Sequence, residues 1–282
     1  MAKLADIQIY DDNNVRNEID IYHASISNPV IQFTGTGSMK LVWDSPTGDV
    51  HYGVYKSRLD VTVLVETGAQ EAIIANIISS YENDIWCEWN MDTNADGSVD
   101  KLKFKGYLLQ DTITIENAPK PYFLSLSFTD GLGKMGETDY APTSAGTFPL
   151  RGGHNIVLLL KYCLQSLDIY DLYNNTDDYL QTVIGLEPDS FTPDPVGDDW
   201  YREIELLVSG FFGHHEIGEA YNKKTDDSIT VGTILEELCR LFNARLYCVD
   251  AVYVFEGVDA RVNATYDSYM YNRTDIHSGV VT

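Results

Sequence analysis

The sequence predicts a mainly β chain with α+β elements. It has a β-rich N-terminal part, a helical segment, and a smaller α+β part at the C-terminus. Three observations lead there. Residues 1 to about 135 are filled by strand-length runs rich in Val, Ile, Tyr and Phe, broken by Gly and Pro turns. Residues 136–153 lose their large aliphatics, gain turn formers, and lead into an apolar helical run. The strand pattern then returns in the last third. These shifts divide the chain into a first β domain at 1–135, a linker with a buried helix at 136–199, and a second α+β domain at 200–282.

The first clear alternation is Glu18-Ile19-Asp20-Ile21-Tyr22, with Ile19 and Ile21 on one face and the other three on the opposite face. The runs VIQFTG, MKLVWD, VHYGVYKS and DVTVLVE follow as further strands. One helix interrupts them. Thr67 and Gln70 have the spacing of a capping box, and Ile73, Ile74, Ile77, Ile78 and Tyr81 form an apolar helical stripe. A long hairpin comes next, DIWCEWN paired with KLKFKGYLL. In its second strand Leu102 and Phe104 face inward, and Lys101, Lys103 and Lys105 face outward. Tyr122–Phe128 alternates again.

The run NIVLLLKYCLQSLDIYDLY reads as one mostly buried helix, and LEPDSFTPDPVGDD as an irregular segment. REIELLVSGFF predicts a strand. Val231, Ile234, Leu235, Leu238, Cys239 and Phe242 recur at helical spacing, with Thr230 as N-cap and Asn243 as the stop. ARLYCVD and AVYVFEG make a hairpin around Asp250, and a last strand runs through ATYDSYMYN.

Bulk properties bound the function. With 282 residues the chain suits one large domain or two smaller ones. Against 43 acidic residues there are 19 Lys and Arg, a formal charge of −24. Such a surface repels phosphate backbones and anionic membranes, which argues against nucleic-acid binding. The longest apolar run, Ile156–Leu160, is far short of a membrane span. The N-terminus has no apolar signal region, and the 4 cysteines are widely spaced with no CxxC pair. A chain made in a cytoplasm, with reduced core cysteines, is expected.

Motifs for catalysis are missing. There is no G-x-S-x-G elbow and no P-loop; the glycines of FTGTGSMK have the wrong spacing. His214-His215-Glu216 begins an H-E-x-x-H pattern, but Glu219 stands where the second histidine belongs, and Gly213 and Gly218 oppose a helix. Cys87 and Cys239 read as core residues. Trp86 and Trp89 fall on opposite faces of one strand. Tyr266, Tyr269 and Tyr271 are the better aromatic patch for a sugar, although filling a strand face explains them as well. No enzyme is expected.

One stretch has the spacing of a metal loop. Asp92-Thr93-Asn94-Ala95-Asp96-Gly97-Ser98-Val99-Asp100 follows D-x-N-x-D-G-x-x-D. Asp92, Asn94, Asp96 and Asp100 offer oxygens at positions one, three, five and nine, with a glycine at the bend. An EF-hand needs a Glu at position twelve, and that position is Lys103. The nine-residue form resembles calcium loops in β-hairpins of integrin-type propeller blades. The competing reading is an acidic Asx turn with Asp-Gly at its tip.

Taken together, IWCEWN…KLKFKGYLLQD, PYFLSLSFTDGLGKM and TVGTILEELCRLFNARLYCVDAVYVFEG resemble the baseplate-hub or tail-tip proteins of tailed bacteriophages. The resemblance covers about two thirds of the chain and weakens over 136–230. It implies two tube-like β-barrel domains joined by a helical segment, and three chains forming a pseudo-sixfold ring. That ring continues the tail tube and holds the spike or fibre, with DNA passing an acidic lumen. It further implies contacts with tail tube and distal tail proteins, a place at the tail tip of the virion, and no required cofactor beyond a possible calcium ion. Related hubs often run further than Thr282. The alternative function is a calcium-stabilised β-rich module that recognises glycans on a host.

Overall fold

The computed structural model describes residues 2–11, 13–26, 29–44, 53–94, 96, 98–113, 119–140, 153–174, 177–184, 201, 204–207, 230–258, 267–273 and 277–280. The fold is mainly β, with few helices. The chain divides into two compact units, one of residues 1–44, 56–131 and 248–251, the other of 45–55, 132–247 and 252–282.

The first unit contains strands β1 (Ala2–Tyr10), β2 (Arg16–His23), β3 (Ile31–Asp44), β4 (Lys56–Val65), β5 (Ile85–Met91), β6 (Lys101–Leu108) and β7 (Tyr122–Thr129). They form a closed barrel in the order β1-β2-β5-β6-β7-β4-β3. Six of its seams are antiparallel. The seventh, β1 on β3, is parallel, with Ala5 opposite Ile31 and Gln8 opposite Thr34. Closure removes the exposed strand edges that would otherwise template aggregation. The period-two pattern sets the faces. Ser57, Leu59, Val61, Val63 and Val65 of β4 are all buried, and every residue between them is partly exposed. The interior cluster combines Ile7, Ile9, Ile19, Ile21, Ile85, Cys87, Phe104, Leu124, Leu126 and Phe128 with Leu59, Val61, Val63 and Val65 of β4.

Helix α1 (Gly68–Ser79) packs Ile73, Ile74 and Ile77 into the same cluster. Its capping box is present. Thr67 Oγ1 accepts from the Gln70 amide, and Gln70 Oε1 accepts from the Thr67 and Glu66 amides at 2.9 and 2.8 Å. Gln70 Nε2 also donates to the Gln32 carbonyl, fixing the helix start to β3. The predicted stripe is one turn too long. Ile78 is 41% and Tyr81 83% exposed. A step of one residue from Ile77 rotates Ile78 by about 100° off the buried face, and Tyr81 lies beyond the helix end.

Two glycine positions show how tightly the barrel closes. The site of a Gly106 Cβ would lie 2.2 Å from the Thr129 carbonyl oxygen on β7, and that of Gly35 at 2.2 Å from the Ile9 side chain. Lys105 adds a detail to the outward face. It does point outward from the barrel, opposite in sense to Phe104, yet it is buried, with Nζ 2.7 Å from Glu88.

The second unit contains β8 (Gly153–Asn155), α2 (Ile156–Ser166), β9 (Leu180–Ile184), β10 (Glu205–Leu207), α3 (Val231–Leu241), all but the last two residues of β11 (Ala244–Val249), β12 (Val252–Gly257), β13 (Asp267–Tyr271) and β14 (His277–Val280). Among the described residues they form a five-stranded sheet, β11-β12-β9-β13-β14, and a two-stranded pair, β10-β8. β12 runs parallel to β9, and β13 antiparallel to it. Asn155 caps α2 by accepting from the Leu158 amide at 2.8 Å, and Thr230 caps α3 through the Thr233 amide at 3.3 Å.

The predicted long helix after Asn155 stops at Ser166. Asp168 has φ 60°, a left-handed conformation that ends the helix before the 3₁₀ turn Ile169–Leu172. α3 ends as expected, with Asn243 at φ 45°. The hairpin turn uses Asp250 at φ 49° and Ala251 at φ 59°, the two positive angles that suit a two-residue turn between right-twisted strands. Within the strand read through ATYDSYMYN, Tyr269 and Tyr271 are buried, so they fill the core and offer no platform. Residues 141–152, 185–200, 202–203, 208–229 and 259–266 lie outside the described residues, and with them part of the linker segment, His214–Glu219, most of REIELLVSGFF and Tyr266 of the tyrosine patch.

Candidate functional site

The 92–100 loop joins β5 to β6. Its base is fixed: Asp92 N donates to Arg16 O at 2.9 Å, and Asp100 N to Met91 O at 3.0 Å. Above the base, side chains satisfy the loop's own donors. Asp92 Oδ1 accepts from the Asp96 amide at 3.3 Å, and Asp96 Oδ1 from the Ser98 amide at 2.8 Å. Asp100 accepts from the Thr93 amide and hydroxyl and, at 2.6 Å, from Asn94 Nδ2. The amide donated by Thr93 holds the Asp100 carboxyl below its ordinary value. Asn94 therefore turns its amide nitrogen toward Asp100. In this arrangement Asp92, Asp96 and Asp100 do not gather into a three-carboxylate group. A calcium ion here would have to replace Thr93 and Asn94 as the partners of Asp100. Ala95 and Gly97 lie outside the described residues.

A different acidic group comes together on the outer face of the barrel, across β1 and β2. One carboxylate oxygen each of Asp6, Glu18 and Asp20 lies within 4.8 Å of the other two. Lys3 supplies the counter-charge. Its Nζ is 3.1 Å from Asp6, 3.2 Å from Glu18 and 2.5 Å from Asp20, while Arg16 pairs with Glu18 at 2.6 Å. The Lys3 and Asp20 pKa values both move up, for different reasons. Burial alone would lower Lys3, but hydrogen bonds to Asp20 and Asp6 outweigh it. For Asp20 burial raises the value, and Lys3 offsets only part of that rise. The spacing of Glu18 and Asp20 was legible in the sequence; their meeting with Lys3 and Asp6 depends on the β1–β2 register.

His23 and Ser80, 57 positions apart, form the kind of pair a hydrolase would need, with Nε2 2.9 Å from Oγ. The other ring nitrogen decides its chemistry. His23 Nδ1 accepts from the Ser25 and Ile26 amides, both at 3.0 Å. The proton of the neutral ring is then on Nε2, which donates to Ser80, and Ser80 donates onward to the Asn76 carbonyl at 2.7 Å. An imidazole that donates to the hydroxyl cannot take its proton. Nearby Gln110 Nε2 donates to the Ile77 carbonyl at 3.0 Å and to the Ser80 carbonyl, closing the end of α1. The group is a structural cap, and no sequence spacing signals it.

The remaining candidates fall into the core or into ion pairs. All four cysteines are buried and free. Burial pushes the Cys239 thiol up to about 12 and raises Cys87, Cys163 and Cys248 as well. Trp86 stacks on Tyr22 at 5.6 Å on the outer face, and Trp89 packs against the interior cluster and donates to Asn17 Oδ1 at 2.9 Å. Lys101 and Lys103 both reach Asp250, at 2.7 and 2.9 Å. No helix among the described residues is long and apolar enough to cross a membrane. No protein-family model matches the chain, and a search of curated proteins finds no match.

Proposed function

We propose that the chain is a structural protein of a phage tail, part of the baseplate-hub or tail-tip ring that continues the tail tube and connects it to a central spike or fibre. The observation that carries this reading is the closed seven-stranded barrel. Three consecutive walls of it, β5, β6 and β7, are the segments IWCEWN, KLKFKGYLLQD and PYFLSL, which resemble hub proteins. A net charge of −24 supports the reading, because a ring through which DNA slides must not hold phosphates. In this role the chain performs no catalysis and requires no cofactor. It assembles as a homotrimer whose two units per chain give a pseudo-sixfold ring, bound to tail tube and distal tail proteins at the virion tip. Sedimentation of the purified full chain, followed by negative-stain imaging, tests the assembly. Trimeric rings are expected, and a monomer at every concentration up to the solubility limit would contradict it.

The second reading is a calcium-stabilised, glycan-binding module, favoured by the D-x-N-x-D-G-x-x-D loop at the β5–β6 tip. Calcium at Asp92, Asn94, Asp96 and Asp100 would stiffen the hairpin. It requires a rise in melting temperature with added calcium that Asp96→Ala removes, together with glycan binding that a chelator abolishes.

A further inference from the structure

The outer face of the barrel carries a cross-strand row of polar and ionisable side chains. Gln32 on β3, Asp6 on β1, Asp20 on β2, Glu88 on β5 and Lys105 on β6 are successive register partners. Glu88 is matched by Lys105. Asp6 and Asp20 sit directly opposite one another, are 7% and 9% exposed, and share Lys3 with Glu18. Three carboxylates thus face one ammonium, with Arg16 engaging Glu18 from the strand end. The Tyr22 hydroxyl reaches Asp20 Oδ2 at 3.4 Å, a weak donor to it. Asp6 Oδ1 and Asp20 Oδ1 are both fully buried and accept no well-aligned hydrogen bond, although Lys3 Nζ lies 2.5 Å from Asp20 Oδ1. A buried carboxylate oxygen with no donor is costly, so the cluster is short of one positive charge and of donors for its buried oxygens.

We propose that this cluster is a proton-binding clasp: the Asp20 carboxyl takes up a proton from solvent while Asp6 and Glu18 keep the Lys3 ammonium. The added O–H supplies the donor that Asp6 Oδ1 lacks and removes the surplus negative charge between β1 and β2. The position gives it consequence. β1 is the strand that closes the barrel, antiparallel to β2 on one side and parallel to β3 on the other. Protonation tightens that closure, and loss of the proton loosens it. Burial of Asp20, which disfavours its charged form, acts in the same direction.

The sign follows from linkage. A carboxyl that holds its proton more tightly when folded makes stability fall as pH rises through its folded pKa. The test compares unfolding midpoints of the full chain and of Asp20→Asn from pH 4 to 9. Asparagine keeps an acceptor for Lys3 and carries no charge. The variant should be the more stable at pH 8, by about tenfold in the folding constant for each pKa unit of the shift, and its advantage should vanish toward pH 4. A pH-independent gap, or a variant less stable at pH 8, overturns the proposal. If the variant does not fold, carboxyl carbon NMR of the parent decides: a midpoint for Asp20 above that of an ordinary aspartate supports the clasp, and one at or below it refutes it.

Discussion

Substituting Gly106 by alanine should open the barrel at one seam. β6 and β7 are in register over only Tyr107–Thr129 and Leu108–Phe128, the shortest pairing in the closed sheet. A Cβ at residue 106 would sit 2.2 Å from the Thr129 carbonyl oxygen and 2.8 Å from the Phe104 ring. Carbon–oxygen contacts settle at about 3.3 Å, so relief requires the two backbones to part by roughly 1 Å. That displacement takes ladder bonds of about 2.9 Å beyond hydrogen-bonding range. Losing two of them costs about 1–3 kcal/mol, and overpacking adds about 1–3 kcal/mol. Gly106→Ala should therefore lose about 2–6 kcal/mol in urea unfolding. Hydrogen exchange should quicken first at Leu108 and Thr129. A loss below about 0.5 kcal/mol, within the range of ordinary surface substitutions, would refute the close packing of this seam.

Other outcomes follow from the same contacts. Thr67→Ala removes one half of the α1 capping box and should cost about 1 kcal/mol; Gln70→Ala, which also frees the Gln32 carbonyl and two amides, should cost more, and the reverse order in urea melts would contradict the capping geometry. For Asp250, burial opposes its charge, but hydrogen bonds from Lys101 and Lys103 outweigh it and hold the carboxyl low. Its stabilisation is thus present above the ordinary aspartate value and lost as pH falls through the folded pKa. Asp250→Asn should cost no more than about 1 kcal/mol at pH 7, because the pair is partly exposed. The cost should shrink in high salt and disappear at low pH; an undiminished gap at pH 3 would argue against the ion pairs. The buried thiols should react with a thiol reagent at pH 8 on the order of a hundredfold more slowly in the native chain than in denaturant, and one thiol labelling at the denatured rate would show that its cover opens.

Much of the barrel was legible because half-buried antiparallel strands alternate visibly. β2, β4, β6 and β7 all carry that signature, and the Thr67–Gln70 spacing marked the start of α1. What stayed hidden depends on pairing. Nothing local marks β1 and β3 as parallel partners or β9 as the centre of a five-stranded sheet, since register arises between segments distant in sequence. The burial of Lys105 was hidden because the pattern shows which face a side chain is on and not what lies against it. The Asp92–Asp100 motif drew attention through its spacing, whereas the Lys3–Asp6–Glu18–Asp20 cluster needed two strands in register and the His23–Ser80 bond a contact across 57 positions. The break at Ser166 was invisible because the apolar pattern runs on through Ile169 and Leu172; only the left-handed Asp168 interrupts the helix.

The proposed place in a phage tail is open to direct labelling. Gold-conjugated antibody raised against this chain would be applied to intact particles from the source culture and to dissociated tails, and viewed by electron microscopy. Label confined to the distal end of the tail is expected, on intact particles or, if the epitope is covered, on tails once they are opened. Intact and disrupted tails that both stay unlabelled, while the same antibody detects the chain in the infected cells, would contradict it.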